Sequence, residues 1–319
     1  MKFSILIPAY NAEQYIVDCI NSIKKQTFED WECIIIDDGS KDDTYKVILD
    51  NVFDDKRFIV KQQLNQGVAK TRNKLLKIAK GDYIVWIDAD DFISETTLHI
   101  LNKNISKYNS DFLIFNYNLV YENLVSTVRL LNRNNCIIEK KDMFKYLAQE
   151  YNMPSFLWNK VISKKLYEGI SFDSNLKMLE DYNELCELVY KSQKILYLNN
   201  CLYYYRQIES SITHNIREDI LYQNLKVREK RESFILKKFP SLINYIKSGK
   251  AYISINYIVV SANSNYKTLF EIFKRELRKN ILYYILSKDI KFKHKLAGVL
   301  IAIDFRIYSS IKNILKIFK

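Results

Sequence analysis

Trp86-Ile87-Asp88-Ala89-Asp90-Asp91 sets three carboxylates within four positions, at the end of the apolar run Tyr83 to Ile87. Bounded by Gly81 and the acidic cluster, that run reads as a buried strand. Sheets of the strand–helix type bind their ligands at the carboxyl ends of strands. Carboxylates crowded at such an end repel one another unless a cation sits between them. Hard oxygen donors favour Mg²⁺ or Mn²⁺, which commonly bridge one or two carboxylates to a substrate phosphate. The plainer alternative is an acidic loop that caps the next helix at Ser94.

The surrounding hundred residues must position that cluster, and they alternate between two periodicities. Phe3 to Ile7 reads as a strand, and Ala12, Tyr15, Ile16, Cys19, Ile20 and Ile23 then fall on one face of a helix. Trp31 to Ile36 is the next strand, closed by Asp37-Asp38-Gly39-Ser40. A second helix follows from about Asp42, and Phe58 to Gln62 is a shorter strand. A third helix spans roughly Val68 to Lys80, with Gly81 as a favourable residue just past its end. This alternation predicts an α/β fold, a parallel sheet with helices on both faces. Residues 110 to 215 are more mixed, with strands at Phe112–Phe115 and Leu196–Leu198. Beyond His214 the pattern turns helical and rich in Lys, Ile and Tyr.

Several classes are set aside by what is missing. No GxGxxG follows the first strand and no GxxxxGK[ST] occurs, which removes nicotinamide-type and P-loop nucleotide sites. Five scattered cysteines without CxxC spacing argue against a disulfide framework or a zinc site and suit a reducing compartment. The N-terminus enters a strand-like run at once, so no signal peptide is expected. No apolar run approaches the ~20 residues that cross a bilayer. Nine of the twelve net positive charges fall between Tyr266 and Lys319, where thirteen Lys and Arg meet four Asp and Glu. Phe292, Leu296, Val299, Leu300, Ile303, Ile307, Ile311, Ile314, Leu315 and Phe318 form one apolar stripe there, with Lys312 and Lys316 opposite. Such a helix can lie in a membrane interface or pack on its own domain. Nucleic acid is not expected as a partner, since no base-reading motif accompanies the charge.

With these residues placed, the chain resembles a family 2 glycosyltransferase of the GT-A fold, over about Phe3 to His214. The landmarks occur in order: FSILIPAYNAEQYI, CIIIDDGSKDDT, NQGVAKTRN, GDYIVWIDADD, WNKVISKKL, LEDYNEL and LYYYRQIESSITH. Any one is weak, but the ordered series is specific for fold and reaction class, and silent on the sugar. The resemblance implies a Rossmann-like mixed sheet with helices on both faces over residues 1–215. Residues 1–100 would form the nucleotide-sugar half and 101–215 the acceptor half, with a basic helical region at 216–319.

It also implies roles for individual residues. Pro8, Ala9, Tyr10 and Asn11 would cradle uracil and ribose, although Pro8 and Asn11 also suit a strand stop and a helix N-cap. Asp38 would accept the uracil imide hydrogen bond. Asn65 and Arg72 would line the nucleotide, with Arg72 as a fork for the diphosphate or as a surface salt bridge. Asp88 would lie beside the ribose and Asp90 on the metal, Mn²⁺ or Mg²⁺, with His214 as a second ligand and Asp91 capping the following segment. In Glu180-Asp181, Asp181 would be the base that deprotonates the acceptor hydroxyl. Trp158 could stack on a sugar face or be buried, and Arg206 could touch phosphate or acceptor.

The family's processive synthases carry QxxRW and several spans, whereas this region reads Arg206-Gln207-Ile208-Glu209-Ser210-Ser211. The expectation is therefore an inverting, metal-dependent, non-processive transfer of one sugar from a UDP-sugar to a saccharide. The acceptor is expected to be lipid-linked, in bacterial capsule, exopolysaccharide or cell-wall glycan assembly. The protein would be cytoplasmic and peripheral at the inner face of the membrane, held there by its basic C-terminal helices, which could instead form a homodimer. Two alternatives stay open: a protein or teichoic-acid-type polymer as acceptor, and a nucleotide-sugar binding module without catalysis.

Overall fold

The computed structural model describes residues 1–151, 153–208 and 217–315. In chain order the strands are β1 (Phe3–Ala9), β2 (Trp31–Asp37), β3 (Phe58–Gln62), β4 (Tyr83–Trp86), β5 (Phe92–Ile93), β6 (Phe112–Tyr121), β7 (Leu124–Val128), β8 (Cys136–Ile138), β9 (Lys160–Ser163) and β10 (Ile195–Arg206). The helices are α1 (Ile16–Lys24), α2 (Thr44–Val52), α3 (Val68–Ile78), α4 (Thr97–Tyr108), α5 (Lys140–Gln149), α6 (Tyr182–Lys191), α7 (Glu218–Lys238), α8 (Ile243–Asn263), α9 (Lys267–Leu286), α10 (Phe292–Ile303) and α11 (Phe305–Leu315).

The strands form one mixed sheet in the order β3-β2-β1-β4-β9-β6-β10-β5, with β7 on β6 and β8 on β10. The first four neighbours are parallel, as the strand–helix alternation demands; β9 is the antiparallel strand that joins β4 to β6. Strands β1 and β2 are almost wholly buried, which is why they read as unbroken apolar runs and not as alternating ones. Gly81 is not the helix cap that the sequence suggested. Helix α3 ends at Ile78, and a Cβ on Gly81 would lie 2.5 Å from the Ser4 backbone nitrogen. The glycine lets the chain entering β4 press against β1, and its N–H donates to Ser4 Oγ at 2.7 Å.

The chain divides into two compact units. The first, 1–140 with 156–214, holds the sheet and its helices. The second comprises 141–155 and 215–319 and is helical, with a core that includes Ala251, Ile255, Phe273, Leu277, Tyr284, Ala297 and Ile301. The expected helical region began at 216 and did not include 141–155. That segment belongs to the helical unit because the buried Arg231 of α7 reaches back to it. Arg231 donates to Ser155 Oγ at 2.7 Å and to the Leu147 carbonyl at 2.9 Å, and Arg228 pairs with Glu150.

The C-terminal stripe is also revised. The described part is two helices, because Asp304 is extended and accepts the Arg306 N–H at 2.9 Å, an N-cap contact that starts α11. Ala297, Gly298, Ile301 and Tyr308 face the core, while the stripe's Phe292, Ile303 and Ile307 stay exposed. No helix among the described residues is long and apolar enough to cross a membrane.

Candidate active site

Strands β1, β2 and β4 run parallel, so their carboxyl ends open on one edge of the sheet, where Pro8 to Asn11, Asp37-Asp38 and Asp88 to Asp91 follow. The backbone between the first two is stitched tightly. Asn11 adopts a left-handed φ of 49°. Its N–H donates to Ser40 Oγ at 2.9 Å and its Oδ1 accepts the Lys41 N–H at 2.9 Å. Asn11 therefore ties β1 to the loop after β2 and does not cap α1, which starts at Ile16. Tyr10 stands exposed beside it.

Asp38 is buried and holds a loop around itself. Its carboxylate accepts from Gln63 Nε2 at 2.6 Å, the Gln66 N–H at 2.9 Å and the Gly67 N–H at 2.8 Å. Asn65 lies within that loop, and its backbone packs where a Cβ on Gly39 would sit, 2.7 Å away. The left-handed φ of 72° at Gly39 suits the same residue type. Asp38 and Asn65, far apart in sequence, thus border one rim.

Arg72 is the centre of the arrangement. It is buried on α3, pairs with Glu180, and places Nη2 3.7 Å from Asp88 Oδ1. Its guanidinium lies over Trp86 at 5.6 Å and Phe172 at 5.9 Å, which fixes its plane. Arg72 is not the surface ion pair that the sequence offered as one reading; it is buried and spans the two carboxylate motifs. Burial pushes the Asp88 carboxyl up to about 6, with Asp90 and Glu180 adding to the effect and Arg72 opposing it.

Asp90 is part-buried, and burial raises its pKa against the pull of its own N–H and Arg206. Among the described residues its carboxylate takes no hydrogen bond from any other residue, so its oxygens are open to a cation. Among the described residues no group of three His, Cys, Asp or Glu stands together there as a ready-made cage. A cation at Asp90 would take ligand phosphates and water into its shell, the habit of Mg²⁺ and Mn²⁺. The donor set fits such an ion. His214, the other expected ligand, lies outside the described residues.

Asp91 does not cap the following segment. It is fully buried and accepts the Tyr203 hydroxyl at 2.7 Å and the Arg206 N–H at 2.8 Å. The same hydroxyl accepts the Asp88 N–H at 3.1 Å, so Tyr203 pins the turn at both ends. Arg206 donates through Nε to the Asp90 carbonyl at 2.9 Å and through Nη2 to Asp18 at 2.9 Å. Its contacts position the turn that carries Asp90. Trp158 cannot offer a ring face to a sugar. It is 4% exposed and stacks on Tyr203 at 4.5 Å and on Phe156 at 4.9 Å, with Tyr117 edge-on at 4.8 Å.

Asp181 occupies the N-cap position of α6 without a side-chain cap bond, two residues after Leu179 at a left-handed φ of 60°. A branched residue held there is strained, a feature that concentrates at functional sites. Burial pushes the Asp181 carboxyl up to about 7; Glu180 adds to this, while Arg72 and Lys160 oppose it.

Lys160 and Tyr167 were not singled out in sequence. Lys160 is fully buried at the start of β9, donating to the Phe156 carbonyl at 2.5 Å and Asn159 Oδ1 at 2.7 Å. Tyr167 accepts Trp86 Nε1 at 3.0 Å. A lysine abutting the apolar pair Val161-Ile162 was the available signal for the first; nothing local marked the second.

Open parallel strand ends carrying a cluster of carboxylates are the setting of this site, and the chain belongs to glycosyl transferase family 2, whose model matches residues 4–167. GlyA and GlyG, two glycosyltransferases of Streptococcus pneumoniae serotype 4, are 30% and 28% identical over 220 residues, 66% of this chain in each case. The match spans 31% of GlyA and 72% of GlyG. The crystal structure of residues 1–349 of Staphylococcus aureus TarS in complex with UDP-GlcNAc superposes with a TM-score of 0.67 at 20% identity, covering 98% of this chain and 91% of that one. TarS is named a poly(ribitol-phosphate) β-N-acetylglucosaminyltransferase, and the sequence match to it is 28% identical over 220 residues, 64% of this chain and 35% of TarS.

Proposed function

We propose that the protein is an inverting glycosyltransferase of bacterial surface-glycan synthesis, moving one sugar from a UDP-sugar to a saccharide acceptor. The observation that carries this reading is Arg72, which ties Asp88 at the end of β4 to Glu180 beside Asp181. It thereby brings the carboxylates on the nucleotide side and the candidate base into one site.

The β1 and β2 ends, with Asp38 and Asn65, bind the nucleotide. Asp90 and His214 would hold Mn²⁺ or Mg²⁺, which neutralises the departing diphosphate when bound. Asp181 takes the proton of the acceptor hydroxyl; that oxygen forms the new bond to the anomeric carbon from the face opposite the diphosphate. The old C–O pair leaves with the diphosphate, which gives inversion. Arg72 fixes Asp88 and Glu180 so that the two halves stay in register during the displacement.

A lipid-linked oligosaccharide is the first acceptor reading. A phosphate-linked polymer is the second, favoured by the likeness to TarS. In both, the basic C-terminal helices hold the enzyme at the anionic inner leaflet.

Donor binding raises stability by linkage, so melting temperatures with a panel of nucleotide sugars, with and without Mn²⁺, test the donor class. One UDP-sugar should stand out, and Asp90→Asn should lose the Mn²⁺-dependent part of the shift. A full shift in Asp90→Asn would remove the metal assignment. Binding without transfer to any saccharide would leave a nucleotide-sugar binding module.

A further inference from the structure

The helical unit holds a cavity of about 430 Å³ between α5, α8 and the end of α9, within the range of small-ligand sites. Its floor is a polar network around one buried amide. Gln149 is 1% exposed, and its Nε2 donates to the Tyr151 hydroxyl at 2.7 Å and to Asp289 Oδ2 at 3.0 Å. The same hydroxyl lies 2.7 Å from Ser287 Oγ. Gln149 thus engages Asp289, the one acidic side chain in the lining.

The rim is cationic. Lys145 and Lys288 line the cavity, and neither forms a salt bridge among the described residues. Lys145 Nζ is seated over the Tyr245 ring at 4.9 Å. Adjacent Lys247 donates to the Tyr283 hydroxyl at 3.0 Å and lies over that ring at 4.5 Å. One face of each tyrosine ring is therefore taken by an ammonium group. The Lys145 and Lys288 ammoniums and the Ser287 hydroxyl offer donors, which suits a ligand that only accepts. Leu286, 68% exposed, forms an apolar lip.

We propose that this cavity is a phosphate-binding site, recognising a phosphomonoester or diphosphate group with Lys145 and Lys288 as its principal donors. Two sources carry that chemistry: an anionic lipid headgroup, whose acyl part would meet Leu286, and a soluble phosphate compound.

The full-length protein is titrated, at saturating UDP, with inorganic phosphate and pyrophosphate by calorimetry, and in parallel with phosphatidic acid vesicles against phosphatidylcholine vesicles by sedimentation. Wild type should bind at least one of these probes, K145Q/K288Q about tenfold or more weakly, and K145R/K288R close to wild type. Binding of the soluble anions marks a soluble ligand; loss confined to phosphatidic acid vesicles marks a headgroup. Equal binding by wild type and K145Q/K288Q, no binding of any probe by wild type, or a K145R/K288R protein as weak as K145Q/K288Q would each overturn the site.

Discussion

Asp181, the proposed base, would serve the reaction and cost stability through the same raised pKa. Burial and Glu180 lift its carboxyl to about 7 from an ordinary 3.8, against Arg72 and Lys160. The base must be ionised, so transfer should rise with pH along an acid limb centred near 7. For stability the sign is opposite. The folded state holds the extra proton between about pH 4 and pH 7, so stability is greatest below that window and falls as pH climbs through it. Asp181→Asn should therefore lower kcat by about 10²–10⁴-fold at pH 8 while melting above wild type there. That gap should close near pH 4, and each kcal/mol is worth ~2–4 °C in a domain of this size. Rate profiles and melts over pH 4–9 check both; a variant as active as wild type removes Asp181 as base. This carboxylate was legible in the chain because an acidic pair recurs in a recognisable run. The opposing charge of Lys160 was not, because its proximity depends on β9 lying between β4 and β6, an ordering that no local pattern encodes.

Strand β10 does more than fill the sheet. Tyr203 and the Arg206 backbone bind Asp91, and Tyr203 also accepts the Asp88 N–H, so β10 sets the shape of the turn that presents Asp90. Tyr203→Phe keeps the stack on Trp158 but leaves the buried Asp91 short of a donor. Such a loss costs about 1–3 kcal/mol, with kcat falling more than donor affinity; melts and steady-state kinetics at saturating Mn²⁺ would read both. Unchanged kcat and melting would mean that the turn holds itself. Tyr203 packs on Trp158 and bonds to Asp91 at once, and nothing in the sequence analysis singled it out. Gly81 teaches a similar lesson. Its residue type was read correctly as a constraint, but the constraint is the 2.5 Å approach to Ser4 across the sheet and not the end of α3.

For the molecule as a whole, net positive charge concentrates in the helical unit, nine of the twelve charges falling between Tyr266 and Lys319. Deleting residues 290–319 would be a poor test of membrane attachment, since it would strip Ile290, Ala297, Ile301 and Tyr308 from that unit's core. The exposed part of the stripe is the cleaner target: Phe292 at 79%, Ile303 at 61% and Ile307 at 45%. Changing all three to Ser should leave melting close to wild type and reduce sedimentation with anionic vesicles several-fold, because interfacial binding scales with buried apolar area. Unaltered partitioning would refute an interfacial role for this face.

Local patterning was enough to place strands β1 to β4 and the carboxylates at their ends, because buried parallel strands and the turns between them demand particular residue types at short range; the family came from the ordered motifs. Arg72 as a bridge, Trp158 as core, the break at Asp304 and the allegiance of 141–155 to the helical unit became visible only in three dimensions. Each depends on which distant segment supplies the neighbour. Burial, hydrogen bonding and charge pairing are settled by that neighbour, and spacing along the chain carries no record of it.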